Sequence, residues 1–206
     1  MTIGSLYELG VAIGIEGAAL EAYAAQDKHG GYPHEWPTGS LWGAEGQALY
    51  ALATALRVDR ALEFGTWHGC SAAHIAQALH DAHRDEPGTL EAVDIWEGSG
   101  DLIPAELRPY ILLVHMDMCE FAAEMVERSV QFDLIFEDGP HDADSVGFVW
   151  SRARKLLRPG GVIVSHDALH ATAGPHIRRG IEASGLTPVF VSLGGSDCGL
   201  AVWRAD

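Results

Sequence analysis

Residues 61–71 read Ala61-Leu62-Glu63-Phe64-Gly65-Thr66-Trp67-His68-Gly69-Cys70-Ser71. The opening residues form a short β-rich run closed by a glycine. Beyond it Ala72, Ile75, Ala76 and Leu79 recur at helical spacing, so the segment reads as strand, tight turn and helix start. The glycines let backbone approach a ligand closely. Only Gly65 and Gly69 are present, one short of the G-x-G-x-x-G turn that seats a pyrophosphate on a helix N-terminus, and Glu63 beside them would repel phosphate.

The same alternation continues outward. Leu90–Val93, Tyr110–His115, Phe132–Phe136 and Val162–Ser165 are β-rich runs, and Val146, Val149, Trp150, Ala153, Leu156 and Leu157 keep helical spacing between two of them. Pro159-Gly160-Gly161 reads as the end of that helix and a sharp turn into the next strand, and Pro175 as the start of another helix. Thr187–Ser192 and Gly199–Arg204 flank a six-residue glycine-rich loop, short enough for an antiparallel hairpin. Before residue 60, helices are expected near Ile15–Gln26 and Ala44–Leu56, joined by a Pro, Gly and aromatic-rich loop over 30–40. The fold class is α/β, a doubly wound, mostly parallel seven-stranded sheet with a C-terminal antiparallel hairpin. Residues 1–206 are read as one domain in which 1–58 form a helical and loop cap.

Thirteen Lys and Arg stand against 29 Asp and Glu, a formal charge of −16. Affinity for phosphate rests on clustered cations, so nucleic acid and anionic membrane are excluded as partners, while a cationic small molecule remains attractive. The chain is 48% hydrophobic and 20% charged, as globular proteins are. No apolar run approaches the ~18 residues of a membrane helix. No export signal is read at the N-terminus. Cys70, Cys119 and Cys198 fit neither a disulfide framework nor paired metal knuckles, which points to a cytoplasmic location. The chain contains no Asn.

In open parallel sheets, ligands bind beyond the carboxyl ends of the strands. Gly65, Asp94, Asp117, Asp138 and Asp167 all fall there and are expected to share one rim. Any single Asp is also explained as a turn or helix N-cap; the set of four is not. Asp138-Gly139-Pro140-His141 places an imidazole three residues beyond a carboxylate, which suits one metal ligand and one base.

Taken together these motifs resemble class I S-adenosylmethionine-dependent methyltransferases. Ala61–Ser71 is similar to the first motif of the O-methyltransferase variant, and Glu45-Gly46-Gln47 resembles the helix start that precedes it. Asp94-Ile95-Trp96-Glu97-Gly98 is similar to the ribose-binding motif of sugar O-methyltransferases from antibiotic pathways. The resemblance runs from Gly43 to the C-terminus and implies a Rossmann-like methyltransferase fold. It also implies S-adenosyl-L-methionine as cofactor, held by Glu63, Gly65, Thr66, Trp67, Ser71, Asp94, Ile95, Asp117, Met118 and Asp138. This cofactor is cationic and lacks phosphate, which suits an acidic rim.

Metal-dependent members of the catechol and caffeoyl-coenzyme A types are similar at Asp138, their magnesium ligand, but carry Lys where this chain has His141. Macrolide-sugar methyltransferases carry His there. Asp167 resembles the second ligand of these families. The catechol-type Asn is replaced by Ala168, and the sugar-type carboxylate by His166. The implied metal set is Asp138, His166 and Asp167, with His166 left open as ligand, hydrogen-bonded neighbour or second base. The ion is Mg2+ or a transition metal, since imidazole suits the latter better. His141 would then accept the proton of a metal-chelated hydroxyl on a small hydroxylated substrate, a sugar or phenol.

Other readings remain. They are a scaffold or binding protein on the same fold, hydrolytic or lyase chemistry with His141 and His166, and an NAD-dependent oxidoreductase. Trp67 and His68 shield adenosine or simply pack, and Tyr32, His34 and Trp36 line a pocket or a surface loop. Aromatics near the N-terminus, and association among relatives, leave room for a homodimer.

Overall fold

The computed structural model describes residues 2–27, 36–37, 40–41, 43–82 and 88–206. Along the chain these form β1 (Thr2–Ile3), α1 (Leu6–Ile13), α2 (Gly17–Ala24), α3 (Gly43–Ala55), β2 (Arg60–Phe64), α4 (Cys70–Asp81), β3 (Thr89–Asp94) and β4 (Ile111–His115). There follow α5 (Met118–Glu127), β5 (Phe132–Glu137), α6 (Ala143–Trp150), α7 (Ala153–Leu156), β6 (Leu157–Ser165), α8 (Gly174–Ala183), β7 (Val189–Val191) and β8 (Leu200–Arg204). The sheet order is β1-β7-β8-β6-β5-β2-β3-β4. Every pairing is parallel except those of β8, which runs antiparallel to β6 and β7.

Parallel strands with helices on both faces read as continuous apolar runs, and that makes the central strands β2, β3, β5 and β6 visible in sequence; β4, equally apolar, is the sheet's edge strand and is partly exposed. Alternate side chains feed two cores. Leu134, Phe136 and Val164 meet Leu49, Leu52 and Ile75 on one face, while Phe64, Ile135 and Ile163 meet Trp150 and Ile177 on the other. Fully burying such side chains stabilises the fold by roughly 1.5–3 kcal/mol each.

Three features depart from the sequence reading. An eighth strand, β1, adds to the sheet edge by pairing Thr2 with Phe190, and α1 follows it with Ser5 as N-cap. Helix α5 was not foreseen. Its buried Met118, Phe121, Ala122 and Met125 nonetheless keep the i, i+3, i+4, i+7 spacing of an amphipathic helix. Finally, the helix expected through Leu157 breaks at 151–152. Leu157 already pairs with Phe132, and Pro159-Gly160-Gly161 forms an irregularity inside β6 before Val162 pairs with Leu134. Gly160, at φ +80°, takes the left-handed backbone this bulge needs.

Candidate active site at the carboxyl edge of the sheet

Beyond Phe64 the chain turns at Gly65, whose φ is +85° and whose α-carbon lies so close to the Asp138 carbonyl that a Cβ would collide with it. The Gly65 amide donates to the Val93 carbonyl (2.9 Å) and the Asp138 amide to that of Phe64 (2.8 Å), locking the ends of β2, β3 and β5 together. A cavity of about 270 Å³ opens above them, lined among others by Gly65, Trp67, Asp94, Ile95, Asp117, Met118 and Asp138. Larger cavities of about 550 and 510 Å³ lie elsewhere and contain none of the expected site residues.

The carboxylates on the β3–β4 side are held by backbone amides. Asp94 accepts from the Trp67 amide (2.7 Å) and the Trp96 amide (2.9 Å), one on each oxygen. Asp117 caps α5, accepting from the amides of Cys119 (2.8 Å) and Glu120 (3.1 Å). Large apolar side chains stand open to solvent nearby: Ile95 is 71% exposed, Trp67 40% and Trp96 42%. Trp67 sits at φ +44°, and His68, between the two indoles, faces Asp101 at 2.6 Å.

Two carboxyls lie buried beneath the rim, on opposite faces of the sheet. Glu63 accepts from the Ser71 hydroxyl (2.5 Å), while its Oε2 and the Thr66 hydroxyl have no hydrogen-bond partner among the described residues. Burial, only partly offset by Ser71, pushes Glu63 up to about 8. Glu137 accepts from Ser165 (2.5 Å), whose oxygen in turn accepts from the Trp150 indole (2.7 Å). Burial raises Glu137 to about 7.

At the ends of β5 and β6 the neutralising groups are imidazoles. His141 Nε2 lies 3.3 Å from Asp138 and 3.5 Å from Asp167. His166 Nδ1 lies 3.4 Å from Asp138 and 3.7 Å from Asp167, and its Nε2 is 3.1 Å from Glu45. Burial would by itself raise Asp138, but the two histidines outweigh it and hold the carboxyl down at about 2. For His166 burial works downward and is outweighed by Asp138 and Glu45, which push it up to about 11. His141 is raised, first by its hydrogen bond to Asp138.

Donor atoms around a tetrahedral ion with bonds of about 2.0–2.1 Å stand ~3.3 Å apart, close to these separations. Asp138, His141 and Asp167 form one group of donors within 4.8 Å of one another; His166, Asp167 and Cys198 form a second. Asp138, His141, His166 and Asp167 are therefore brought together. Of the ten residues expected at the cofactor, seven line the cavity, and Glu63, Thr66 and Ser71 lie buried beside it. Trp36 packs against the core, while Tyr32 and His34 lie outside the described residues.

Sequence reading gave no role to two members of this arrangement. Glu45, wholly buried on α3, also accepts from the Gly199 amide (3.0 Å). Cys198 arrives from the β7–β8 loop because its carbonyl accepts from the Leu169 amide (2.7 Å). Glu45 lies 121 residues from His166, so no local spacing marks the pair. A buried carboxylate in a helix start otherwise made of Gly and Ala was the one available signal.

A family model described as a methyltransferase domain matches residues 62–168, just over half of the chain. The chain belongs to that family of methyltransferase domains. Its fold is also that of solved O-methyltransferases. A Klebsiella pneumoniae protein assigned to that class superposes with a TM-score of 0.67 at 20% identity, over 98% of this chain and 96% of its own. The Bacillus cereus O-methyltransferase, solved with S-adenosylhomocysteine, gives 0.67 at 18% identity, over 91% of this chain and all of its own. TomG of Streptomyces achromogenes, an O-methyltransferase of tomaymycin synthesis solved with S-adenosylmethionine, gives 0.62 at 22%, over 91% and 90%. No curated protein sequence matches the chain. Among the described residues no helix is long and apolar enough to cross a membrane.

Proposed function

We propose that this methyltransferase moves the methyl group of S-adenosylmethionine to a hydroxyl oxygen of a small metabolite, a sugar or a phenol, with a divalent ion at Asp138, Asp167 and His166. The observation that carries the reading is the placement of His141 Nε2 between Asp138, which lines the Gly65–Asp94 cavity, and Asp167.

The residues present fit both absent groups. The Glu63 carboxyl and the Thr66 hydroxyl beside it offer oxygens to an ammonium such as that of the methionine moiety, whose charge would favour the ionised form of Glu63. Each Asp94 oxygen retains a lone pair for a ribose hydroxyl. Trp67, Ile95 and Met118 offer apolar walls to a nucleobase. Bound there, S-adenosylmethionine supplies a methyl group already activated by its positive sulfur. A divalent ion would supply a lowered pKa for a hydroxyl it binds.

His141, whose Nε2 faces Asp138 and Asp167, accepts the proton of the acceptor hydroxyl at Nδ1. The O–H bond breaks, an O–C bond forms as the S–C bond breaks, and S-adenosylhomocysteine leaves. Asp138 and Asp167 stabilise the imidazolium that results. The buried Glu137–Ser165–Trp150 chain pins the ends of β5 and β6, and so fixes the separation of these two carboxylates.

The test is transfer of label from methyl-labelled S-adenosylmethionine to a panel of sugars and phenols, with and without chelator. Transfer that a chelator abolishes and a divalent ion restores supports the reading. Chelator-insensitive transfer removes the ion from it, and cofactor binding with no transfer to any hydroxyl removes the activity.

A further inference from the structure

One thiol lies within reach of the same carboxylates and imidazoles. Cys198 Sγ, a ring nitrogen of His166 and a carboxylate oxygen of Asp167 fall within 4.8 Å of one another. Asp167 stands beside the thiol, and the Cys198 backbone is held on both sides, by the Ser196 hydroxyl at its amide (3.1 Å) and by the Leu169 amide at its carbonyl. Cys198 is therefore placed by the loop and does not swing freely near the site.

His166 is placed as firmly. Its Nε2 faces Glu45, a carboxylate with no exposure to solvent, so its Nδ1 is the nitrogen turned toward Asp138 and Asp167. An outer carboxylate that grips one imidazole nitrogen and leaves the other for an ion is the usual way a protein orients a histidine ligand.

Magnesium takes oxygen ligands in near-ideal octahedral geometry. Imidazole and thiolate favour zinc and its borderline neighbours. With no Asn in the chain and Ala168 after Asp167, the Asn oxygen of the catechol-type set is missing, and a ring nitrogen and a sulfur stand beside Asp167.

We infer that the site selects a borderline transition-metal ion of the zinc or cobalt kind over magnesium, with Cys198 as a thiolate ligand beside His166 and Asp167 and Glu45 as the residue that positions His166. The inference rests on the ion site proposed above and names its chemistry. Binding breaks the Cys198 S–H bond and forms a metal–sulfur bond, and the proton passes to solvent; nothing is oxidised or reduced.

The experiment is a titration of the reduced, ion-free protein with Co2+, read by absorption. A near-ultraviolet thiolate-to-cobalt band is expected to saturate with the visible bands, and a large molar excess of Mg2+ should leave both in place. Cys198→Ser should lose the near-ultraviolet band and bind Co2+ at least ~10-fold more weakly, and Cys119→Ser should change neither. Glu45→Gln should keep the band and weaken Co2+ by roughly 10–100-fold. X-ray absorption at cobalt bound to the unmutated protein should show sulfur at ~2.3 Å, a result that depends on no variant folding. Cobalt bound without a sulfur neighbour, or displaced readily by Mg2+, overturns the inference and leaves the proposed ion site standing. No ion bound by the intact protein overturns both.

Discussion

The two halves of the sheet edge solve one electrostatic problem differently. On the β3–β4 side, Asp94 and Asp117 are held by backbone amides, which are neutral and permanent. On the β5–β6 side, Asp138 and Asp167 are held by two imidazoles, which are charged only when protonated and which share their partners. The first arrangement leaves spare lone pairs for hydroxyls or a cationic nucleoside. The second places protons where an ion or a substrate proton has to go. The residue type and its place at a strand end are the same, and only the neighbours separate a carboxylate held by amides from one held by imidazoles.

That contrast can be broken by experiment. The largest effect is expected at His141. His141→Ala should lower kcat by roughly 10²–10⁴-fold and leave the affinity for S-adenosylhomocysteine unchanged, as rate assays and calorimetry would show. An equal loss of cofactor affinity would mean that the two halves are not separate. Activity of the unmutated enzyme should also rise with pH through the raised value of His141, since the base works only when neutral.

Glu63 belongs to neither half and should show in stability. Its folded value, about 8, lies above the unfolded value of 4.5, so the folded state holds a proton that the unfolded state has released. Stability is then full below pH 4.5 and is lost as pH rises toward 8, by roughly 2–4 kcal/mol for this group between pH 5 and 8. Glu63→Gln should flatten that part of the profile in denaturant titrations; an unchanged slope would show that the carboxyl is already satisfied.

Smaller effects follow on the amide-held side. Asp94→Ala removes a charged acceptor and should weaken S-adenosylhomocysteine by roughly 10–100-fold while leaving Co2+ affinity intact. Asp117→Ala removes an N-cap and should cost about 1 kcal/mol of stability, read from the denaturation midpoint.

Much of this was legible in the chain. Strands β2, β3, β5 and β6 are buried on both faces, so each carries an apolar run stopped by a polar residue, and Asp94, Asp138 and Asp167 could be placed on one edge from that alone. Helix α5 was missed because Met118-Cys119-Glu120 begins it with mixed polarity, and its N-cap, Asp117, was read toward a ligand. In the structure Asp117 caps the helix and lines the cavity. The contacts of Glu45 and Cys198 were out of reach for a different reason. They depend on α3 and the β7–β8 loop meeting across the sheet edge, and that meeting is set by tertiary packing and leaves no mark in local spacing.

Glu45 has one more consequence. The segment that matches the family model, 62–168, contains both carboxylates and both imidazoles, yet the group that holds His166 comes from before it and the nearby thiol from after it. The shared part of the domain thus carries the groups to which the proposed chemistry is assigned, and the flanks hold one of them in place. Divergence in α3 or in the final hairpin is then a route by which two proteins with the same strand-end residues come to prefer different ions without changing a residue of the shared segment.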